Sequence, residues 1–153
     1  MEFKWHLLIS FIASYVLVYF YNFNLLAGLI IFLSSILIDG DHYLWYGFGT
    51  KDWNPLHAIR WHIGAIPKWL SLSIQERNKF RRGVFFCHGI LFWAILILLS
   101  FIHEIFLWVL IGVAIHMFTD WIGLYLRGEP LYNKILPCYV IRRNRGKKSL
   151  SKL

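Results

Sequence analysis

The chain has 153 residues, of which 58% are hydrophobic and only 16% charged, with a mean hydropathy of +0.54. Soluble domains carry about 25% charge, and disordered chains are polar and poor in aromatics, so with 19% aromatics this composition points away from both. The net charge of +8 suits nucleic acid or a membrane surface, and two cysteines are too few for a disulfide framework.

Trp5 to Ile38 contains no Asp, Glu, Lys or Arg. As one helix it would run about 51 Å, beyond the roughly 30 Å of a hydrocarbon core, so it must fold back. Asn22 and Asn24 favour a turn at Tyr21–Asn24. A first span is expected over about 5–21 and a second over 25–46. The first run lacks a strong basic start and a small-residue cleavage site, so it is expected to stay in the mature protein.

The segment 47–83 mixes basic residues with Trp53, Trp61 and Trp69 at equal spacing, and with Leu56, Ile59, Ile63 and Ile66 between them. Trp favours the head-group region, so an interfacial amphipathic stretch broken by Pro55 and Pro67 is expected. A third span follows over 84–102. His103-Glu104 makes a turn, and a fourth span runs over 105–126 with Asp120 as its only charge. Helices apolar nearly all round belong in a membrane rather than in a soluble bundle. The expected fold is an all-α integral membrane protein, a four-helix transmembrane bundle of two helical hairpins with an interfacial central segment, forming a single domain over 1–153.

In that arrangement all 16 Lys and Arg fall on one side: Lys4, the central segment, and the tail 127–153. The chain is then a multi-pass cell-membrane protein with both termini cytoplasmic. The same charge would hold anionic lipid head groups, so membrane lipids are the expected partners and nucleic acid is not. Cys87 and Cys138 would be free thiols on the reducing side. The terminal Ser-Lys-Leu matches a peroxisomal address, read here as chance.

Polar groups inside spans are costly and usually functional. His6 opens the first span, Asp39-Gly40-Asp41-His42 closes the second, His88 lies early in the third, and His116 and Asp120 share a face of the fourth. Gly40 can loosen the second helix so that Asp39 and Asp41 both turn inward. Antiparallel topology brings all seven to the same membrane face. Imidazole with carboxylate suits zinc first, with iron or manganese as alternatives. Seven candidates exceed one closed zinc site, so one or two divalent ions are expected, some of the residues acting as outer groups. Ion pairing is the competing role for Asp39, Asp41 and Asp120, with Arg81, Arg82 or Arg127 as the cations able to reach them. His57 and His62 are expected at the interface.

The pattern resembles the membrane-bound metal-dependent hydrolases often called YdjM-like. The matching residues are Lys4-Trp5-His6-Leu7-Leu8, Asp39-Gly40-Asp41-His42, the histidine of Cys87-His88-Gly89, and His116-Met117-Phe118-Thr119-Asp120. They cover about residues 1–126. The family's His-Arg-Gly before the third-helix histidine is reduced here to Arg82-Gly83. The family is distantly similar to helical zinc-dependent phospholipases C, which implies phosphoester chemistry. The expected activity is hydrolysis of a lipid or phosphoester by metal-activated water at the cytoplasmic face, with Asp41 as general base. The rivals are a non-catalytic protein whose metal or polar cluster ties four helices together, and a metal transporter. A transporter needs polar groups through to the far side, where these spans are almost wholly apolar.

Overall fold

The computed structural model describes residues 3–148; the Ser-Lys-Leu end lies outside them. The described chain is all-helical, its only strand-like feature among those residues being an isolated parallel bridge between Phe80 and Lys148. Helix α1 spans Phe3–Phe20. Asn22, with φ 56°, turns the chain, and the Asn24 side chain accepts from the Ala27 amide to cap α2, Leu25–Leu37. The turn falls where the paired asparagines place it.

After α2 the backbone loosens at Ile38-Asp39 and continues as α3, Gly40–Thr50. Leu25–Thr50 and Glu104–Leu126 are the two stretches long and apolar enough to cross a membrane among the described residues. The expected third span is shorter than its apolar run. Residues 84–89 are irregular, and α6 is only Ile90–Ser100, about 16 Å long. Gly89 opens that helix with extended backbone, so the preceding residues form a loop that carries His88. Helix α7, Glu104–Leu126, begins where His103 Nδ1 accepts from the Ile105 amide.

Helix α7 packs on α1, α2 and α6, and α1 packs on α2. Ala27, Ile31 and Trp108 fill one part of the interior; Ile38, Leu96, Val113 and Met117 fill another. Gly112 lets α7 approach α2 so closely that a Cβ there would overlap Ser34 Oγ and the Ile31 carbonyl oxygen. Small residues serve this purpose where helices pack tightly in apolar surroundings. The outer faces keep large apolar side chains exposed, Phe11, Leu29, Leu98 and Phe118 among them.

The central segment folds as α4, Pro55–Ser71, and a short α5, Ile74–Arg77. Pro55 starts α4, where its missing N–H costs nothing. Pro67, expected to break the helix, sits inside it. The carbonyl it leaves without a helical donor belongs to Ile63, which is on an exposed face.

The tail does more than carry charge. After α8, Tyr132–Ile135, and α9, Pro137–Arg143, it runs back along the central segment. The Arg81 amide donates to the Lys148 carbonyl at 2.9 Å, and the Asn144 side chain bonds both the amide and the carbonyl of Arg82. Glu129, a lone acid in the basic tail, is the clamp. It accepts from Arg77 Nη1 and Trp69 Nε1, both at 3.1 Å, and pairs with Arg82. Burial alone would raise the Glu129 carboxyl, but hydrogen bonds and charge from Arg82, with Arg77 and Trp69 adding to them, hold it below its ordinary value.

Candidate metal centre

Four elements bring the polar residues to one end of the bundle. The break between α2 and α3 presents Asp39 on one side of Gly40 and Asp41 with His42 on the other. The loop before α6 adds His88, α7 adds His116 and Asp120 one turn apart, and α1 adds His6. His6, Asp41, His88, His116 and Asp120 are buried; Asp39 and His42 are half-buried.

The innermost contacts are between imidazoles. His88 Nε2 and His116 Nε2 face each other at 3.3 Å. Asp120 Oδ2 lies 3.5 Å from the first and 3.4 Å from the second. On the same two nitrogens, Asp39 Oδ1 lies at 3.7 and 3.4 Å. Two triangles of donor atoms therefore share the His88–His116 edge. Edges of this length are those of a tetrahedron face whose corners stand about 2.0–2.3 Å from its centre, close to the roughly 2.0–2.2 Å of zinc bonds to nitrogen and oxygen. More loosely, with donor atoms within 4.8 Å of one another, three groupings among the described residues could hold a metal ion: His6, Asp39 and His116; Asp39, His42 and His88; and His88, His116 and Asp120.

The far sides of the rings fix their tautomers. His116 Nδ1 is 2.7 Å from the Ser35 carbonyl, which can only accept, so that nitrogen carries the proton. His88 Nδ1 is 2.9 Å from Asp41 Oδ2, and the carboxylate likewise takes the proton-bearing side. The two Nε2 atoms then face each other and two carboxylates, an arrangement that either a metal ion or a proton on one Nε2 completes. The carboxylate–imidazole pairing behind His88 is the usual outer support of a metal-bound histidine.

The remaining residues flank this centre. His6 stacks on His116 with ring centroids 4.2 Å apart, and its Nε2 is 3.3 Å from Asp120 Oδ1. His42 Nδ1 lies 3.1 Å from Asp39 Oδ1 and 3.2 Å from Asp41 Oδ1. Asp41 belongs to none of the three groupings. Expected as ligand and general base, it instead stands behind His88 and beside His42. Asp39 lies in the break before α3 while Asp41 is in the helix's first turn, which turns Asp41 to the back of His88 rather than to the shared triangles.

Lys134, a tail residue with no local motif to mark it, also belongs to the site: its Nζ is 2.8 Å from Asp120 Oδ2 and 3.2 Å from His42 Nε2, over the Phe85 ring at 4.5 Å. Arg82, offered as a cation able to reach inward, is taken by Glu129 instead. Nothing in the local pattern around Lys134 marks it, because its position depends on the tail folding back. The site's acids and histidines are thus ion-paired with one another and with Lys134, as well as placed to hold a metal ion.

A cleft of about 210 Å³ opens beside His42 and Lys134, walled by Trp45, Trp61, Ile66 and Phe85. His62 also lines it, its ring 6.1 Å from that of His42. Burial lowers the His62 imidazole below its ordinary value, which keeps it neutral near pH 7. His57 lies apart, paired with Asp52 at 2.8 Å. Cys87 and Cys138 are free. No protein-family model, curated protein or solved structure matches this chain.

Proposed function

We propose that this chain is a multi-pass membrane hydrolase dependent on one or two divalent metal ions, zinc first among them, acting on a lipid or phosphoester at the cytoplasmic face. The observation that carries the reading is the pair of donor triangles on the His88–His116 edge, with both imidazoles locked from behind. Three protein donors on one face leave a further position for water or substrate, the pattern of catalytic rather than closed structural sites.

His88, His116 and Asp120 are the first ligand set; Asp39 and His6 complete it or serve a second ion. A bound divalent ion supplies Lewis acidity and lowers the pKa of water. Asp41 keeps His88 in the binding tautomer. His42, backed by Asp39 and Asp41 and lining the cleft, is the group placed to accept a proton through Nε2 once Lys134, 3.2 Å from that nitrogen, turns to the substrate. Lys134 stabilises negative charge developing on a substrate beside Asp120.

The membrane placement rests on the two long apolar helices, the exposed apolar faces of α1, α2, α6 and α7, and the one-sided basic residues. The polar cluster then lies at the cytoplasmic head-group level, and the motif likeness to YdjM-like hydrolases points the same way. A second reading, a polar cluster that only ties the helices together, draws on Lys134, which already supplies Asp120 with a counter-charge.

Elemental analysis of detergent-purified protein, wild type beside His116→Ala, tests the proposal, followed by hydrolysis assays on phosphoesters with the metal found. Stoichiometric metal lost in the variant, with turnover in the wild type, supports it. No metal after chelator-free purification and after addition of zinc, iron or manganese leaves the structural cluster as the reading.

A further inference from the structure

We propose that the cleft beside this centre binds the phosphate end of a phosphomonoester amphiphile, Lys134 gripping the phosphate and the tryptophan wall holding the first carbons of its chain. This deepens the hydrolase reading by naming its substrate class, and it rests on that reading for what happens to the ligand. Its own supports are separate.

The first is charge. The lining holds Lys134, Arg82 and Arg127 with one carboxylate, Glu129; Arg82 is paired with Glu129 and Lys134 with Asp120, and a divalent ion on Asp120 would release Lys134 for an anion. A phosphomonoester carries about −1.5 to −2 near neutral pH, whereas a diester carries only one charge. Lys134 Nζ lies within 3.2 Å of His42 Nε2 and 2.8 Å of Asp120 Oδ2, so an anion it grips sits against the donor triangles.

The second is hydrogen bonding. His62 Nδ1 is 2.8 Å from the Ala58 carbonyl and so carries its proton, leaving Nε2 as an acceptor. That nitrogen is buried and has no hydrogen-bond partner among the described residues. The dianion of a phosphomonoester is set apart from a diester by its charge; the monoanion, whose charge equals a diester's, is set apart by the P–O–H it offers to such an acceptor. A phosphodiester has no P–O–H.

The third is shape. About 210 Å³ is below the roughly 300–1,000 Å³ that encloses a drug-sized ligand whole, so the cleft takes a headgroup and the carbons next to it. Helix α4 supplies Trp61, Ile66 and Trp69 to the cleft, while Leu56, Ile59 and Ile63 on the same helix are exposed. One helix thus joins the cleft wall to an apolar surface on which the rest of a hydrocarbon chain can lie.

The test is a tryptophan-fluorescence titration of the full chain in detergent, zinc-loaded, with dihexanoyl phosphatidic acid, dihexanoyl phosphatidylcholine and inorganic phosphate. The monoester lipid is expected to saturate at about tenfold lower concentration than the diester, with inorganic phosphate weaker than the monoester lipid. Lys134→Gln is expected to weaken the monoester about tenfold, with Lys134→Arg recovering part of it and zinc content unchanged in both. Trp61→Ala should weaken the lipid and leave inorganic phosphate unaffected. Equal binding of monoester and diester, or wild-type binding by Lys134→Gln, overturns the proposal. Inorganic phosphate binding as tightly as the lipid removes the amphiphile from it. Zinc at full occupancy without a monoester preference refutes this inference alone; a monoester preference in a protein that holds no metal refutes the hydrolase reading alone.

Discussion

His88 and His116 turn their Nε2 atoms toward each other at 3.3 Å, while Asp41 and the Ser35 carbonyl hold the opposite nitrogens. With both back-side nitrogens engaged, the space between the two Nε2 atoms takes either a proton on one ring or a metal ion bridging both. Which of the two it holds can be tested residue by residue.

Asp41 acts on the centre through His88. Asp41→Asn is expected to leave the protein folded and to weaken metal binding about 10–100-fold, as loss of an outer carboxylate does. Competition with a chelator of known affinity measures this. Unchanged affinity together with complete loss of turnover would instead make Asp41 the proton acceptor.

The α2–α7 contact depends on Gly112. Its Cβ in Gly112→Ala would meet the Ile31 carbonyl, a backbone atom unable to swing aside. Thermal unfolding in detergent is expected to show a loss of about 1–3 kcal/mol. Gly64→Ala, with open space around the new methyl, should be neutral or stabilise by up to about 1 kcal/mol through helix propensity.

Glu129 joins the tail to the central segment. Glu129→Ala leaves Arg77 and Arg82 buried without their acid and is expected to cost about 3–5 kcal/mol. Because the folded carboxyl is held below its ordinary value of 4.5, it stabilises the fold above that pH. The contribution falls away as pH drops through and below the ordinary glutamate range. Melting curves of wild type and Glu129→Gln should therefore converge on acidification and stay apart near neutrality.

Cys138 is exposed on the tail, and the topology proposed above would put it on the cytoplasmic side. A membrane-impermeant maleimide should label it in inside-out vesicles and not in right-side-out ones. Labelling from the outer side would invert the proposed topology and move the centre to the opposite face.

The sequence by itself determined the all-helical class, the turns at Asn22–Asn24 and His103, and the histidines and aspartates that meet. Charge-free runs make helices because no polar side chain competes with the backbone for its own hydrogen bonds, and Asn24 and His103 mark where two of them begin. His116 and Asp120 share a face by helical spacing alone. Tertiary structure decided what spacing cannot. The apolar run before Ile90 reads as helix by composition, but it became the loop that delivers His88. Asp39, in the break between α2 and α3, and Asp41, in the first turn of α3, are equal as letters but were divided into one residue facing a histidine and one behind it. Lys134 reached Asp120 only because Glu129, Arg77 and Arg82 fold the tail back against the central segment. Local pattern records which atoms can serve; contacts between segments far apart in the chain set which of them converge.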